Sequence, residues 1–146
     1  MQLIIFMGIQ ASGKSSYYLL NLAHSHLRIN LDMLKTRHRE KIIFEAGLAS
    51  KTKMVIDNSN PTPADRARYI ASAQAAGFEI VGYFFETELK GALERNHLRE
   101  GKACIPVGIR ATAQKFEPPH YAEGFDTLYK VRILGQGEFS ISPIQI

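Results

Sequence analysis

The chain has 146 residues, of which 45% are hydrophobic and 22% charged, and its formal net charge is +4 at pH 7. These values are typical of one globular domain with a single core. Membrane spans are excluded, because no apolar run approaches the ~20 residues that a span needs. The single cysteine, Cys104, excludes an intramolecular disulfide and fits a reducing cytoplasm. We therefore expect a cytoplasmic protein that does not contact membranes.

The positive charge is concentrated in two segments. Residues 28–41 carry five Lys or Arg against two acids, a net +3, and residues 90–115 carry six against two, a net +4. Such segments suit polyanions, either nucleotide phosphates or a nucleic acid backbone. Two solvated helix faces are the alternative, and charge alone favours that alternative.

Residues 8–15 read Gly-Ile-Gln-Ala-Ser-Gly-Lys-Ser, the G-x-x-x-x-G-K-S pattern of a P-loop. The apolar run 3–7 predicts a buried parallel strand before the loop, and residues 16–23 predict a helix after it. In this setting Lys14 reaches the β- and γ-phosphates of ATP, and the hydroxyl of Ser15 holds Mg²⁺. A chance turn between a strand and a helix is the alternative. The predicted ATP-binding residues are Gly8, Gln10, Ala11, Ser12, Gly13, Lys14, Ser15 and Ser16.

The rest of the chain alternates predicted strands with predicted helices. Strands are predicted at 27–31, 53–57, 78–85 and 125–134, and helices at 33–50, 64–76, 88–100 and 108–116. Thr62, followed by Pro63, and Thr87 are the predicted N-caps of the helices that come after them, and Gly77 is a predicted helix end. Residues 138–146 either add an edge strand or fray. This order predicts an α/β fold with a five-stranded parallel sheet flanked by helices.

Two carboxylates follow predicted strands, at the sheet edge where such folds bind ligands. Asp57 suits a carboxylate that holds Mg²⁺ through water, or it caps the loop that follows. Asp32 suits a group that accepts a hydroxyl proton, or it caps the helix predicted at 33–50. The two roles of each residue are compatible.

Arg95 and Arg99 are four residues apart, which predicts that they share one helix face. Gly101 follows them, and residues 95–108 are typical of a closing lid. Lid arginines can clamp the β- and γ-phosphates and stabilise the transition state. Pairing with the neighbouring glutamates at the surface is the alternative.

Several segments, in one order along nearly the whole chain, resemble the kinase domain of metazoan polynucleotide kinase/phosphatases. They lie at 57–61, 66–70, 75–77, 105–107, 115–119 and 122–125 and read DNSNP, RARYI, AAG, IPV, KFEPP and AEGF. Residues 95–99 are similar to the lid arginine pair of phage polynucleotide kinases. The chain contains no D-x-D-x-T phosphatase motif.

This resemblance implies a nucleoside-kinase-like P-loop NTPase fold with a helical lid, spanning residues 1–146 as one domain. It implies transfer of the γ-phosphate of ATP, with Mg²⁺, to 5′-hydroxyl ends of DNA or RNA, with Asp32 as general base. Arg95 and Arg99 then belong to the lid. The candidate substrate ligands are Lys35, Asn58, Asn60 and Arg66.

Two departures accompany the resemblance. Lys35 stands where phage members have Arg, which keeps the charge but loses the bidentate fork, and Ala11 stands where relatives often have Gly. Two other functions stay open. One is a kinase for a small hydroxyl metabolite or nucleoside. The other is a nucleotide-binding ATPase or switch without an acceptor, which would leave Asp32 without a role.

Overall fold

The computed structural model describes residues 1–99 and 106–146. Its strands are β1 (Gln2–Met7), β2 (Leu27–Ile29), β3 (Met54–Ile56), β4 (Glu79–Phe85), β5 (Thr127–Gly135) and β6 (Glu138–Pro143). Its helices are α1 (Lys14–Asn21), α2 (Leu31–Leu34), α3 (Arg37–Ala49), α4 (Pro63–Ala75), α5 (Leu89–His97) and α6 (Pro106–Lys115), with a 3₁₀ turn at Tyr121–Glu123.

The strands form one sheet in the order β2-β3-β1-β4-β5-β6. The first five strands are mutually parallel, as predicted, and β6 pairs antiparallel with β5. The sheet is therefore mixed and six-stranded, and of the two alternatives for residues 138–146 the edge strand is correct. Gln136 and Gly137 turn the chain between β5 and β6 with φ of 51° and 77°. Two successive positive φ values are those of the tight hairpin turn that matches strand twist.

Helices cover both faces of the sheet, so β1 is apolar on both sides. One face packs Leu3, Ile5 and Met7 against residues that include Phe44 of α3 and Tyr69 of α4. The other face packs Ile4 and Phe6 with Tyr17 and Tyr18 of α1. A third, smaller cluster of Ile9, Ala92 and Ile109 joins the start of the P-loop to α5 and α6. None of the helices in the described residues is long and apolar enough to cross a membrane.

The predicted helix 33–50 is wrong, because two helices replace it. Lys35, with φ of 75°, separates α2 from α3. Each helix has its own N-cap: Asn30 Oδ1 accepts from Met33 N at 3.0 Å, and Thr36 Oγ1 accepts from Arg39 N at 3.1 Å. Side chains of this kind compete with a continuous helix by capping a new one. The interpretation of Asp32 as an N-cap is therefore wrong.

The predicted boundaries of α4 are correct, and those of α5 are wrong. Thr62 caps α4 in a reciprocal capping box with Asp65, and Gly77 follows that helix with φ of 83°. Thr87 is not the cap of α5, since Glu88 occupies the N-cap position and the Thr87 hydroxyl accepts from the Arg95 guanidinium instead. The same helix ends at His97 rather than at residue 100. The middle of the predicted lid, residues 100–105, lies outside the described residues.

Candidate active site

The P-loop joins β1 to α1 and is curled tightly by its glycines. A Cβ atom on Gly8 would lie 2.8 Å from Ser12 Oγ and 3.0 Å from the Phe85 carbonyl oxygen, so the loop closes on itself and on β4. Gly13 caps α1 with φ of 96°. Ala11 has φ of 61°, a left-handed conformation that favours glycine.

Lys14 folds back over the loop to which it belongs. Its Nζ atom donates to the carbonyl oxygens of Gly8 at 2.8 Å and Ile9 at 2.7 Å, and to Ser12 Oγ at 3.3 Å. The ammonium therefore lies at the centre of the loop, where a phosphate-binding lysine is required.

Ser15 and Asp57, the two predicted Mg²⁺ ligands, meet in the structure. Ser15 Oγ donates to Asp57 Oδ2 at 3.0 Å, and the Asp57 side chain is buried. A P-loop magnesium site takes the hydroxyl, a carboxylate and the substrate phosphates, with water completing the shell. The two oxygens present fit that donor set.

Arg28, which was not predicted as a site residue, contacts both members of this pair. Arg28 Nε donates to Asp57 Oδ2 at 2.8 Å, and its Nη2 donates to Ser15 Oγ at 2.9 Å. The only indication of this role in the sequence was that Arg28 is a polar residue between apolar ones in the strand predicted before Asp32. Strand pairing brings Arg28 level with Val55, two residues before Asp57.

The loop after β3 is hydrogen-bonded to the end of β1 and to the start of the P-loop. Asn60 is 5% exposed, and its Nδ2 donates to the Phe6 carbonyl oxygen at 2.8 Å. Next to it, Gly8 N donates to the Ser59 carbonyl oxygen at 3.0 Å. The prediction of Asn60 as a substrate ligand is contradicted, because its side chain faces the protein interior and fixes the start of the P-loop.

Arg66 is the second predicted substrate ligand that the structure contradicts. Its side chain is fully buried, with Nη1 2.9 Å from Glu123 Oε2 and Nε 3.0 Å from the Asn60 carbonyl oxygen. Its Nη2 donates to the carbonyl oxygens of Pro61 and Glu117. Burial lowers the pKa of Arg66, and Glu123 opposes that shift. Arg66 therefore ties three loops together rather than contacting a substrate.

We expect Arg66→Ala to lower the free energy of unfolding by about 3 kcal/mol or more, because it leaves the largely buried Glu123 carboxylate without its cation and removes donors from the carbonyl oxygens of Asn60 and Glu117. Urea denaturation measures the loss. Arg68→Ala is the matched control, since Arg68 is exposed on the same helix and its loss should change stability little. Equal midpoints for the two variants would contradict the structural role of Arg66.

Asp32 lies in the first turn of α2, exposed at the carboxyl end of β2. Asn58 connects this turn to the loop after Asp57, because its Oδ1 accepts from Leu31 N at 2.8 Å. Lys35, at the end of the same short helix, is also exposed. Asp32 thus lies at the carboxyl end of β2, as predicted, in the same short helix as Lys35 and next to the loop of Asn58; the role of Lys35 and Asn58 as substrate ligands stays a prediction.

A buried network beneath this edge was not predicted. Glu40, 2% exposed, accepts from Arg37 at 2.8 Å, from the Tyr69 hydroxyl at 2.9 Å and from Asn58 Nδ2 at 2.9 Å. Burial and the Glu40 carboxylate raise the pKa of Tyr69 to about 12. The spacing of residues in the sequence could have indicated that Glu40 is buried, because Glu40 lies on the same face of α3 as the buried Phe44 and Gly47.

Helices α5 and α6 contact the P-loop directly. Arg95 Nε donates to the Ala11 carbonyl oxygen at 2.8 Å, and Gln10 Nε2 donates to Thr112 Oγ1 of α6 at 3.1 Å. Burial lowers the pKa of Arg95, and Glu94 opposes the shift. Arg99 is half-buried and lies beyond the end of α5, where its N–H donates to the Asn96 carbonyl oxygen at 3.1 Å. The two arginines therefore do not share a regular helix face, although both lie within the range 95–108 that was predicted as a lid.

A P-loop between a strand and a helix, its lysine at the centre, and a parallel sheet with helices on both faces define a kinase-like P-loop domain. The sequence pattern of the family described as "AAA domain" matches residues 3–118, and the chain belongs to that family.

Curated relatives confirm the resemblance to polynucleotide kinases. The chain is 28% identical to the bifunctional polynucleotide phosphatase/kinase of Schizosaccharomyces pombe and 27% identical to the putative bifunctional polynucleotide phosphatase/kinase of Acanthamoeba polyphaga mimivirus. Each alignment covers 89% of this chain. The chain spans 33% of the length of each of these relatives.

Solved structures confirm the α/β P-loop fold. A gluconokinase from Sinorhizobium meliloti superimposes with a TM-score of 0.63 at 19% identity, over 93% of this chain and 85% of that one. Kti12 of Chaetomium thermophilum, in complex with ADP-AlF3, gives 0.66 at 17% identity, over 89% and 88%. At these identities the likeness concerns the fold alone.

Proposed function

We propose that this domain transfers the γ-phosphate of ATP to the 5′-hydroxyl end of a DNA or RNA strand. The observation that carries the proposal is an exposed carboxylate, Asp32, at the carboxyl end of β2 in the short helix before α3; the first residue of α3, Arg37, lines a groove with three exposed cations. The names of the curated relatives, polynucleotide phosphatase/kinases, support the same acceptor.

The acceptor groove, as we name it, lies between α3 and α4 and encloses about 240 Å³. It is lined by Arg37, Glu40, Lys41, Phe44, Glu45, Arg68, Tyr69 and Ser72. Its three cations are exposed, and two of them are paired with acids of the lining: Arg37 with the buried Glu40 at 2.8 Å, and Lys41 with the exposed Glu45 at 4.0 Å. Exposed cations along an open groove suit a phosphate backbone better than a small neutral metabolite, which is usually bound in a closed pocket.

The donor side follows from the P-loop. Its curled backbone and Lys14 hold the β- and γ-phosphates, while Arg95 and Arg99 bring positive charge from the lid. Mg²⁺, when held by Ser15 and Asp57, neutralises charge on the phosphates. Binding of ADP-AlF3 by the structurally similar Kti12 supports a nucleotide in this place.

The acceptor side follows from Asp32. The 5′-oxygen of the strand attacks the γ-phosphorus, the bond to the β-phosphate oxygen breaks, and ADP leaves. Asp32 takes the proton of the attacking hydroxyl. Because Asn30 supplies the cap of α2, the carboxylate of Asp32 is available for this task.

The test is transfer of labelled γ-phosphate from ATP to 5′-hydroxyl DNA and RNA oligonucleotides, run beside nucleosides and small hydroxyl metabolites such as gluconate. We expect oligonucleotides to be labelled at least 10²-fold faster than any small acceptor. Faster labelling of a small acceptor would replace the proposal by a metabolite kinase. ATP hydrolysis that no acceptor increases would indicate an ATPase or switch.

We expect Arg99→Ala to lower kcat more than it weakens ATP binding. A cation that reaches charge developing during transfer acts on the transition state, so its loss is felt mainly in kcat. Steady-state kinetics with varied ATP separate the two effects. A raised KM for ATP with unchanged kcat would make Arg99 a ligand of the bound nucleotide instead.

A further inference from the structure

Arg28 contacts both predicted magnesium ligands at once. Its Nε is 2.8 Å from Asp57 Oδ2, and its Nη2 is 2.9 Å from Ser15 Oγ. The Asp57 side chain is 1% exposed and that of Arg28 is 26% exposed, so this ion pair lies at the boundary between core and solvent.

The contact uses the same oxygen atoms that a metal would use. The Ser15 hydroxyl donates its hydrogen bond to Asp57 Oδ2. A cation can therefore bind this hydroxyl only through the lone pairs of Ser15 Oγ. One of these already accepts the Arg28 N–H. Mg²⁺ binds oxygen at about 2.0–2.1 Å and demands a regular octahedron, so a guanidinium and Mg²⁺ on one hydroxyl would be adjacent cations.

The same Arg28 guanidinium has a second favourable contact in this position, with the ring of Tyr18. Its guanidinium carbon lies 5.8 Å from the centroid of the Tyr18 ring. An aromatic face attracts a guanidinium that leaves a carboxylate, because the ring quadrupole and the flat stacking surface stay in place. This contact does not depend on Asp57, so part of the stabilisation of the Arg28 guanidinium remains when Asp57 is taken by another cation.

We propose that Arg28 is a competitor of Mg²⁺ that sets the magnesium requirement of the nucleotide site. It neutralises Asp57 while the site lacks metal, and Mg²⁺ displaces it from Ser15 and Asp57 when the metal arrives with a nucleotide. This inference rests on the magnesium role of Ser15 and Asp57 within the proposed function, but it is independent of the acceptor.

The experiment measures ADP binding by calorimetry and by thermal shift while MgCl₂ is varied at constant ionic strength, which holds charge screening fixed. We expect Arg28→Gln to lower the half-saturating Mg²⁺ concentration about tenfold, since a hydrogen-bonded ion pair no longer has to be broken. Lys51→Gln is the control: it removes the same charge from an exposed residue at the far end of α3 and should leave the value unchanged.

Arg28→Lys gives a second reading, because lysine keeps the charge but lacks the fork that reaches both oxygens. Its half-saturating concentration should lie between those of the wild type and Arg28→Gln, and it carries the test should Arg28→Gln fail to fold. An unchanged or higher Mg²⁺ requirement in the Arg28 variants would overturn the inference and make Arg28 a support of the metal ligands. A wild-type protein that binds ADP without any dependence on Mg²⁺ would overturn the proposed magnesium role, and the inference with it.

Discussion

Lys14→Ala should remove nearly all phosphoryl transfer while the domain stays folded. The ammonium lies among loop oxygens, bonded to the carbonyls of Gly8 and Ile9, so it is placed to neutralise β- and γ-phosphate charge. Losing one preorganised donor of this kind costs about 10²–10³ in rate. Labelled γ-phosphate transfer measures the rate, and thermal denaturation of the same sample measures the fold.

Lys53→Ala is the control for Lys14→Ala. Lys53 is exposed just before β3, at the amino ends of the strands, whereas the P-loop lies at their carboxyl ends. Lys53→Ala therefore changes the net charge by the same amount as Lys14→Ala without altering the site. We expect its transfer rate to match the wild type. A folded Lys14→Ala protein with near-native turnover would overturn the assignment of the P-loop as the phosphate site.

The features that were predicted correctly are those whose signal is local in the sequence. The P-loop, its strand and its helix lie within about twenty residues, and the Thr62-Pro63 helix start lies within four. Parallel pairing followed from the alternation of strands and helices, which permits few other topologies. The meeting of Ser15 and Asp57 followed in turn, because parallel strands end at one edge of the sheet.

The features that were missed depend on partners far away in the chain or on competition between local signals. Arg66 looked like a surface ligand because Glu123, its charge partner, comes 57 residues later. The pairing of Arg28 with Asp57 spans 29 residues. The predicted helix 33–50 followed apolar spacing, but Thr36 offered a cap that spacing does not register, and the chain broke at Lys35.

Arg95 illustrates a different limit. Its spacing from Arg99 predicted a shared helix face, yet α5 ends at His97 and Arg95 donates to the Ala11 carbonyl oxygen and the Thr87 hydroxyl. Those two contacts place the guanidinium against the P-loop, while the lid itself stays a prediction. They also occupy N–H groups that a phosphate clamp would need, so Arg95 supports the P-loop in this structure, and its action on the phosphates stays a prediction.

Asp32→Asn should abolish phosphoryl transfer while ADP and Mg²⁺ still bind. The amide keeps the size of the carboxylate but cannot take a proton, and losing a general base costs roughly 10²–10⁴ in rate. The structure sharpens the expectation for stability. Because Asn30 is the cap of α2 and Asp32 is exposed, the melting temperature should hardly change.

Asp65→Asn is the matched control, since Asp65 also lies in the first turn of a helix but belongs to a capping box. Its Oδ2 accepts from Thr62 N at 3.2 Å and from Thr62 Oγ1 at 2.8 Å. We expect Asp65→Asn to lower stability by up to about 1 kcal/mol and to keep its transfer rate. Transfer rate and melting temperature are measured on one sample of each variant. The rate should fall in Asp32→Asn at an almost unchanged melting temperature, whereas in Asp65→Asn the melting temperature should fall at an unchanged rate. A near-native rate with a lowered melting temperature in Asp32→Asn would make Asp32 a structural residue, and the proposed kinase would lose its acceptor site.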